Sequence, residues 1–118
     1  MGMPLDVQMF LSACDQLPSE ENAELYARLI AEEYQEFMDA RKDMDEAEQL
    51  DACMDMIWVI LGYSLMKGYD ISGAWNDVVK TNMAKVDPLT GKVRRREDGK
   101  ILKPEGWQPP DMTKFLKK

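Results

Sequence analysis

Apolar positions recur at helical spacing in four stretches of this chain. From Leu5 to Gln16, the residues Val7, Phe10, Leu11 and Cys14 share one face and predict a short amphipathic helix. Leu17-Pro18-Ser19 breaks that pattern. Ser19 reads as an N-cap with Glu20 and Glu21 in the first turn after it. Leu25, Tyr26, Leu29, Ile30, Tyr34, Phe37 and Met38 then predict a second, longer helix running to about Lys42. Asp43-Met44-Asp45-Glu46 is a polar turn. The stretch that follows, Gln49 to Met66, organises the chain: from Ala52 onward it is apolar or small except for Asp55. A helix apolar nearly all round is a buried helix. Its apolar run of 15 residues is too short for a membrane span, which needs roughly 20. Gly68 is a C-terminal stop. Asp70-Ile71-Ser72 opens a fourth helix with Ile71, Ala74, Trp75, Val78, Val79 and Val86 on one face, and Asp87-Pro88 ends it.

From Pro88 the texture changes to short runs punctuated by glycine and proline. Asp98-Gly99 between Val93-Arg94-Arg95-Arg96 and Lys100-Ile101-Leu102 predicts a small hairpin. The rest should lie extended, anchored by Trp107. The fold class expected is therefore all-α: a bundle of about four helices with an extended C-terminal tail containing a small hairpin. Residues 1–87 form the helical core and residues 88–118 the basic tail of the same single domain. The central helix is more apolar than one small bundle needs, so the bundle is expected to self-associate as a homodimer or homotetramer.

Charge is unevenly distributed. The net charge is −7, but residues 1–79 hold 17 acids and 4 bases while residues 80–118 hold 5 acids and 11 bases. An acidic body does not grip nucleic acid phosphates, and no membrane partner is expected. An acidic centre beside a basic tail suits a metal ion with a small polyphosphate. The absence of histidine excludes Ser-His-Asp, Cys-His and histidine-ligated zinc chemistry. Cys14 and Cys53 form no CxxC pair, and no leader pattern opens the sequence, so a reducing cytoplasmic setting is expected.

The lone acid in the central helix needs an explanation, because a buried carboxylate is costly unless neutralised, paired or metal-bound. On the second helix, Glu33 and Glu36 project within about 60° of each other. Glu33 falls among Leu29, Ile30 and Phe37, on the apolar face. On the central helix Glu48, Asp51 and Asp55 also fall within about 60°. If the two helices are antiparallel, these acids meet. A cluster of carboxylates without a basic partner repels itself, and a hard divalent cation, magnesium or manganese, relieves it. Glu32 and Glu48 also suit plain surface charges.

The segment EEYQE resembles the EExxE element of the MazG-like, all-α nucleoside triphosphate pyrophosphohydrolases, a superfamily that includes phosphoribosyl-ATP pyrophosphohydrolase and the dimeric dUTPases. The resemblance continues through DACMDMIWVILGYSLMKG, NMAKVDPLTGKV and REDGKILKPEGWQPPD. It is closest to short stand-alone forms that are frequent in phages and bacteria. It implies cleavage between the α- and β-phosphates of a nucleotide, giving a monophosphate and pyrophosphate with bound magnesium. It also implies Glu33, Glu36, Asp51 and Asp55 as metal ligands, Glu32 as the group that orients water or holds a further metal, and Asn82 and Lys85 as phosphate or sugar contacts. Lys80, Arg96, Lys100 and Lys103 are further basic candidates for the substrate. Trp58, Tyr63 and Trp75 are aromatic enough to stack on a base, or to be core.

One position departs from the resemblance. The second acidic element is usually ExxD leading into the apolar run, but three residues before Asp55 stands Ala52. The literal ExxD is Glu48-Gln49-Leu50-Asp51, so the second pair is either Glu48 with Asp51 or Asp51 with Asp55. The sequence leaves the substrate open among nucleoside triphosphates, dUTP and phosphoribosyl-ATP, and a non-enzymatic helical homodimer scaffold is the alternative of a different class.

Overall fold

The computed structural model describes residues 2–117. The protein is all-α with a short C-terminal ladder, and it divides into two units, one ending at Tyr69 and the other beginning at Asp70. Among the described residues no helix is long and apolar enough to cross a membrane.

In the first unit, α1 (Met3–Ala13) starts two residues before the sequence pattern suggests, because Pro4 suits the first turn of a helix. It ends at Cys14, and Asp15 takes a left-handed φ of 56°. α2 (Glu20–Lys42) is capped by Ser19, whose hydroxyl accepts from the Asn22 N–H at 3.0 Å. α3 (Glu46–Met66) is capped by Asp45, which accepts from the Glu48 N–H at 3.1 Å. Gly68 follows it at φ 75°, where a side chain would be strained.

Only three residues separate α2 from α3, so the two helices run antiparallel as a hairpin. Three contacts fix their register. Gln49 Nε2 donates to the Ala40 carbonyl at 3.4 Å near the turn. Farther along, Gly62 lies against the ring of Tyr26, with no room for a Cβ: one built there would sit 2.6 Å from the ring. At the open end Lys67 pairs with Glu20 at 2.9 Å. Each pair is nearly symmetric about Met44. The same symmetry sets Glu33 opposite Asp55 and Glu36 opposite the Asp51–Ala52 step. The core is small: Val7 and Leu11 from α1, Ala23 and Tyr26 from α2, Val59 and Met66 from α3. The Tyr26 hydroxyl donates to Gln16 Oε1 at 2.8 Å, tying the segment before α2 to it.

In the second unit α4 (Ile71–Met83) is capped by Asp70, which accepts from the Gly73 N–H at 3.0 Å. The helix stops three residues before the expected Val86. Val86 instead pairs with Val93 in an antiparallel ladder of β1 (Val86–Asp87) and β2 (Lys92–Val93). The turn between them carries Gly91 at φ 70°. Asp98-Gly99 does reverse the chain, but only a single bridge, Arg95 to Ile101, closes over it. The tail is tied to α4 at both ends. Near its start the Asp70 N–H donates to the carbonyl of Phe115, in the 3-10 turn Met112–Phe115, at 2.8 Å. Near its end the Trp107 indole N–H donates to the Thr81 carbonyl at 2.7 Å.

Candidate functional site

Four carboxylates converge between α2 and α3. Glu33 sits half-buried on the face of α2 that meets α3, and its Oε2 is buried without a hydrogen-bond partner. Burial, then hydrogen bonding and charge from Glu36, then the charges of Asp55 and Asp51, push its pKa from 4.5 to about 7. Asp55 is also half-buried. Burial first, then the charges of Asp51 and Glu36, and hydrogen bonding with Asp51 raise its pKa as well. Desolvation and like charge act in the same direction here. Among the described residues the two ion pairs are Lys67–Glu20 and Arg96–Asp98, and neither involves these four acids.

The acids suspected from sequence thus separate into two groups. Glu33, Glu36, Asp51 and Asp55 influence one another. Glu32 is exposed on α2 and Glu48 is exposed in the first turn of α3, and neither is among the carboxylates bearing on Glu33 or Asp55. Among the described residues no three acidic or cysteine side chains stand ready-arranged as a metal cage. Magnesium does not demand one, since it keeps several waters and takes one or two carboxylates together with substrate phosphates. A buried carboxylate oxygen with no partner, inside an all-oxygen cluster without a base, has the donor chemistry of a hard divalent cation.

The basic candidates lie in the second unit. Lys80 is exposed on α4 and borders a cavity of about 530 Å³ whose wall also includes Asp77, Thr81, Trp107, Asp111 and Lys114. Asn82, although its spacing fits the stripe of Val78 and Val79, is exposed, and its Oδ1 accepts from Lys85 Nζ at 3.0 Å. Lys85 follows α4 rather than belonging to it, because the helix ends at Met83. Arg96 is engaged by Asp98 through two hydrogen bonds, of 3.2 Å and 2.7 Å. The Lys100 N–H also donates to Asp98, at 3.0 Å. Lys103 lies over the Trp107 ring at 4.9 Å, and Lys85 over the same ring at 5.0 Å. Trp107 as a platform for two lysines is the feature that sequence reasoning missed: no spacing rule links Lys85 to a ring so far along the chain.

The aromatic candidates lie elsewhere. Trp58 meets Phe10 edge to face at 5.5 Å, and Tyr63 meets Tyr69 in the same way at 6.4 Å. Trp75 is 66% exposed.

No curated protein matches the chain. The sequence profile of phosphoribosyl-ATP pyrophosphohydrolase matches residues 13–82, a stretch that holds all four converging acids and ends at Asn82. With that match covering more than half of its residues, the chain belongs to the phosphoribosyl-ATP pyrophosphohydrolase family, part of the MazG-like all-α nucleoside triphosphate pyrophosphohydrolases.

Proposed function

We propose that this member of the family is a magnesium-dependent nucleoside triphosphate pyrophosphohydrolase, converting a (d)NTP to its monophosphate and pyrophosphate. The observation that carries the reading is Glu33: a carboxylate on an apolar helix face, with one oxygen unpartnered, set opposite Asp55 and away from any base. A structural role would favour an apolar residue at either position.

Glu33, Glu36, Asp51 and Asp55 hold the cation, with manganese able to substitute. When bound, magnesium neutralises phosphate charge and lowers the pKa of a bound water. Glu32, exposed one residue before Glu33, orients the attacking water and accepts its proton. Asn82 and Lys85 contact phosphate or sugar, and Lys80, Arg96, Lys100 and Lys103 supply the remaining positive charge. The partner of the chain is a second copy of itself, as homodimer or homotetramer. On α3 Leu50 is 63%, Met54 51% and Ile60 47% exposed, a degree of apolar exposure that a second copy would cover.

A second substrate reading, phosphoribosyl-ATP, is favoured by the name of the matched family. A panel of ribo- and deoxyribonucleoside triphosphates plus phosphoribosyl-ATP, incubated with magnesium and read by released pyrophosphate, separates the two. Release from none of them by folded protein would refute the enzymatic proposal.

A further inference from the structure

We propose that the apolar stripe of α4, anchored by Trp75, seats in a groove between α1 and α3 of a second copy of the chain. The inference rests on the self-association proposed above and adds which two surfaces meet. It does not depend on hydrolysis.

Trp75, Val79 and Met83 stand at i, i+4 and i+8 of α4, so they share one face over about 12 Å of helix. All three are exposed. The tail occupies another side of the same helix. There Gly73 lies against the Phe115 ring, and Asp77 and Thr81 line a cavity together with Trp107. Residues 73, 77 and 81 keep the same interval of four but start two positions earlier, which turns them roughly 160° away around the axis. The tail therefore leaves the stripe open. Contiguous apolar side chains left open on a helix mark an interaction surface.

The groove belongs to the first unit. Met3 and Asp6 of α1 form one wall and Met54, Ile57, Trp58 and Leu61 of α3 the other, around a space of about 170 Å³. The α3 residues recur at helical spacing, so that wall is a ridge of about the length of the stripe. A dry cavity of roughly 150 Å³ accepts a benzene ring, so this groove has room for one aromatic side chain. Its lining is apolar except for Asp6, a charged acceptor. An indole is likewise apolar except for one N–H donor. Within the stripe Trp75 alone has that character.

Charge favours this pairing over one between like surfaces. The first unit carries 15 acids and 4 bases, and the second 7 acids and 11 bases. Two first units brought together repel, whereas the first unit of one copy attracts the second unit of another. Exchanged reciprocally, each copy giving a stripe and receiving one, the contact forms twice and closes on itself.

The test is cross-linking between copies. Chains carrying Cys14→Ser and Cys53→Ala receive either Val79→Cys in the stripe or Met54→Cys in the groove. The two are mixed, equilibrated and treated with a short bismaleimide. A linked pair with one chain of each kind is expected by mass, in a yield that neither variant reaches alone. In the otherwise native chain, Trp75→Glu should raise the concentration at which the assembly dissociates by roughly tenfold or more, because a buried aromatic anchor carries a large share of binding energy. Circular dichroism identifies any variant that fails to fold, and the cross-link leaves Trp75 in place. Wild type that associates while the mixed chains give no linked pair would overturn this contact and leave self-association standing on another surface. A monomeric wild type would remove both. The linked pair in a protein that hydrolyses nothing would uphold the contact and remove the hydrolase reading instead.

Discussion

Glu33 on α2 and Asp55 on α3 lie eleven residues to either side of Met44, and the hairpin register sets these two carboxylates opposite each other. Burial and the neighbouring acids, the charge of Asp55 among them, hold the Glu33 pKa near 7.

That shift has a sign. The folded-state pKa of Glu33 lies above its ordinary 4.5, so the folded protein keeps a proton that the unfolded chain has lost. Its contribution to stability is complete below pH 4.5 and is lost as pH rises through about 7. Metal-free protein should therefore lose on the order of 2 kcal/mol between pH 5 and pH 8 from this group. Denaturant melts with chelator present, at several pH values, measure it. The Glu33→Gln variant should show a flatter profile and exceed wild type in stability at pH 8.

Metal should reverse that penalty. Manganese titrated calorimetrically into metal-free protein at pH 8 should bind, more weakly at pH 6, where protons compete for the same oxygens. Glu33→Gln and Asp55→Asn should each lose most of the heat. No binding heat from folded wild type would count against a metal site here.

The second acidic pair is decided by three single variants. With Asp51 and Asp55 as ligands, Asp51→Asn and Asp55→Asn should abolish most pyrophosphate release, and Glu48→Gln should leave it largely intact. An amide keeps the shape but removes an anionic oxygen from the metal. Full activity in Asp55→Asn would favour Glu48 with Asp51 instead.

These acids were legible in sequence because Glu33 and Asp55 interrupt apolar stripes, an anomaly that helical periodicity exposes. What pairs them was less legible. The register depends on Gly62 approaching Tyr26, and a glycine within an apolar run does not announce which ring it meets. The exposure of Asn82 has a different cause. Its spacing fits the stripe of Val78 and Val79, but α4 ends at Met83, so the last turn opens to solvent and Asn82 holds Lys85 instead. Val86 also fits the helical spacing, but it lies beyond the end of α4 and pairs with Val93 instead. The Ser19, Asp70 and Gly68 signals depend on local geometry alone, and these positions cap or stop their helices.

Gly62 gives a packing test. In Gly62→Ala the new methyl would sit 2.6 Å from the Tyr26 ring, forcing α2 and α3 apart at a cost of about 1–3 kcal/mol. Chemical denaturation should show it. The acids lie nearer the turn than this contact, so the variant should also weaken manganese binding by shifting the register between helices.

The exposed side of α3 predicts self-association. Light scattering at micromolar concentration should give a dimer or tetramer mass, and Met54→Glu, a change at a residue 51% exposed, should shift it to monomer without unfolding the chain. A monomer mass for wild type would remove the proposal.

The tie between Asp70 and Phe115 bears on the order of folding. The two groups are 45 residues apart, and the Trp107 indole closes a carbonyl at the far end of the same helix from 26 residues downstream. Contacts of long sequence separation form late, because the intervening chain must be ordered first. The hairpin of α2 and α3, joined by a three-residue turn, has no such delay. On the ribosome the acidic hairpin can close while the basic segment is still being synthesised, so its four carboxylates would meet before the lysines of the second unit exist.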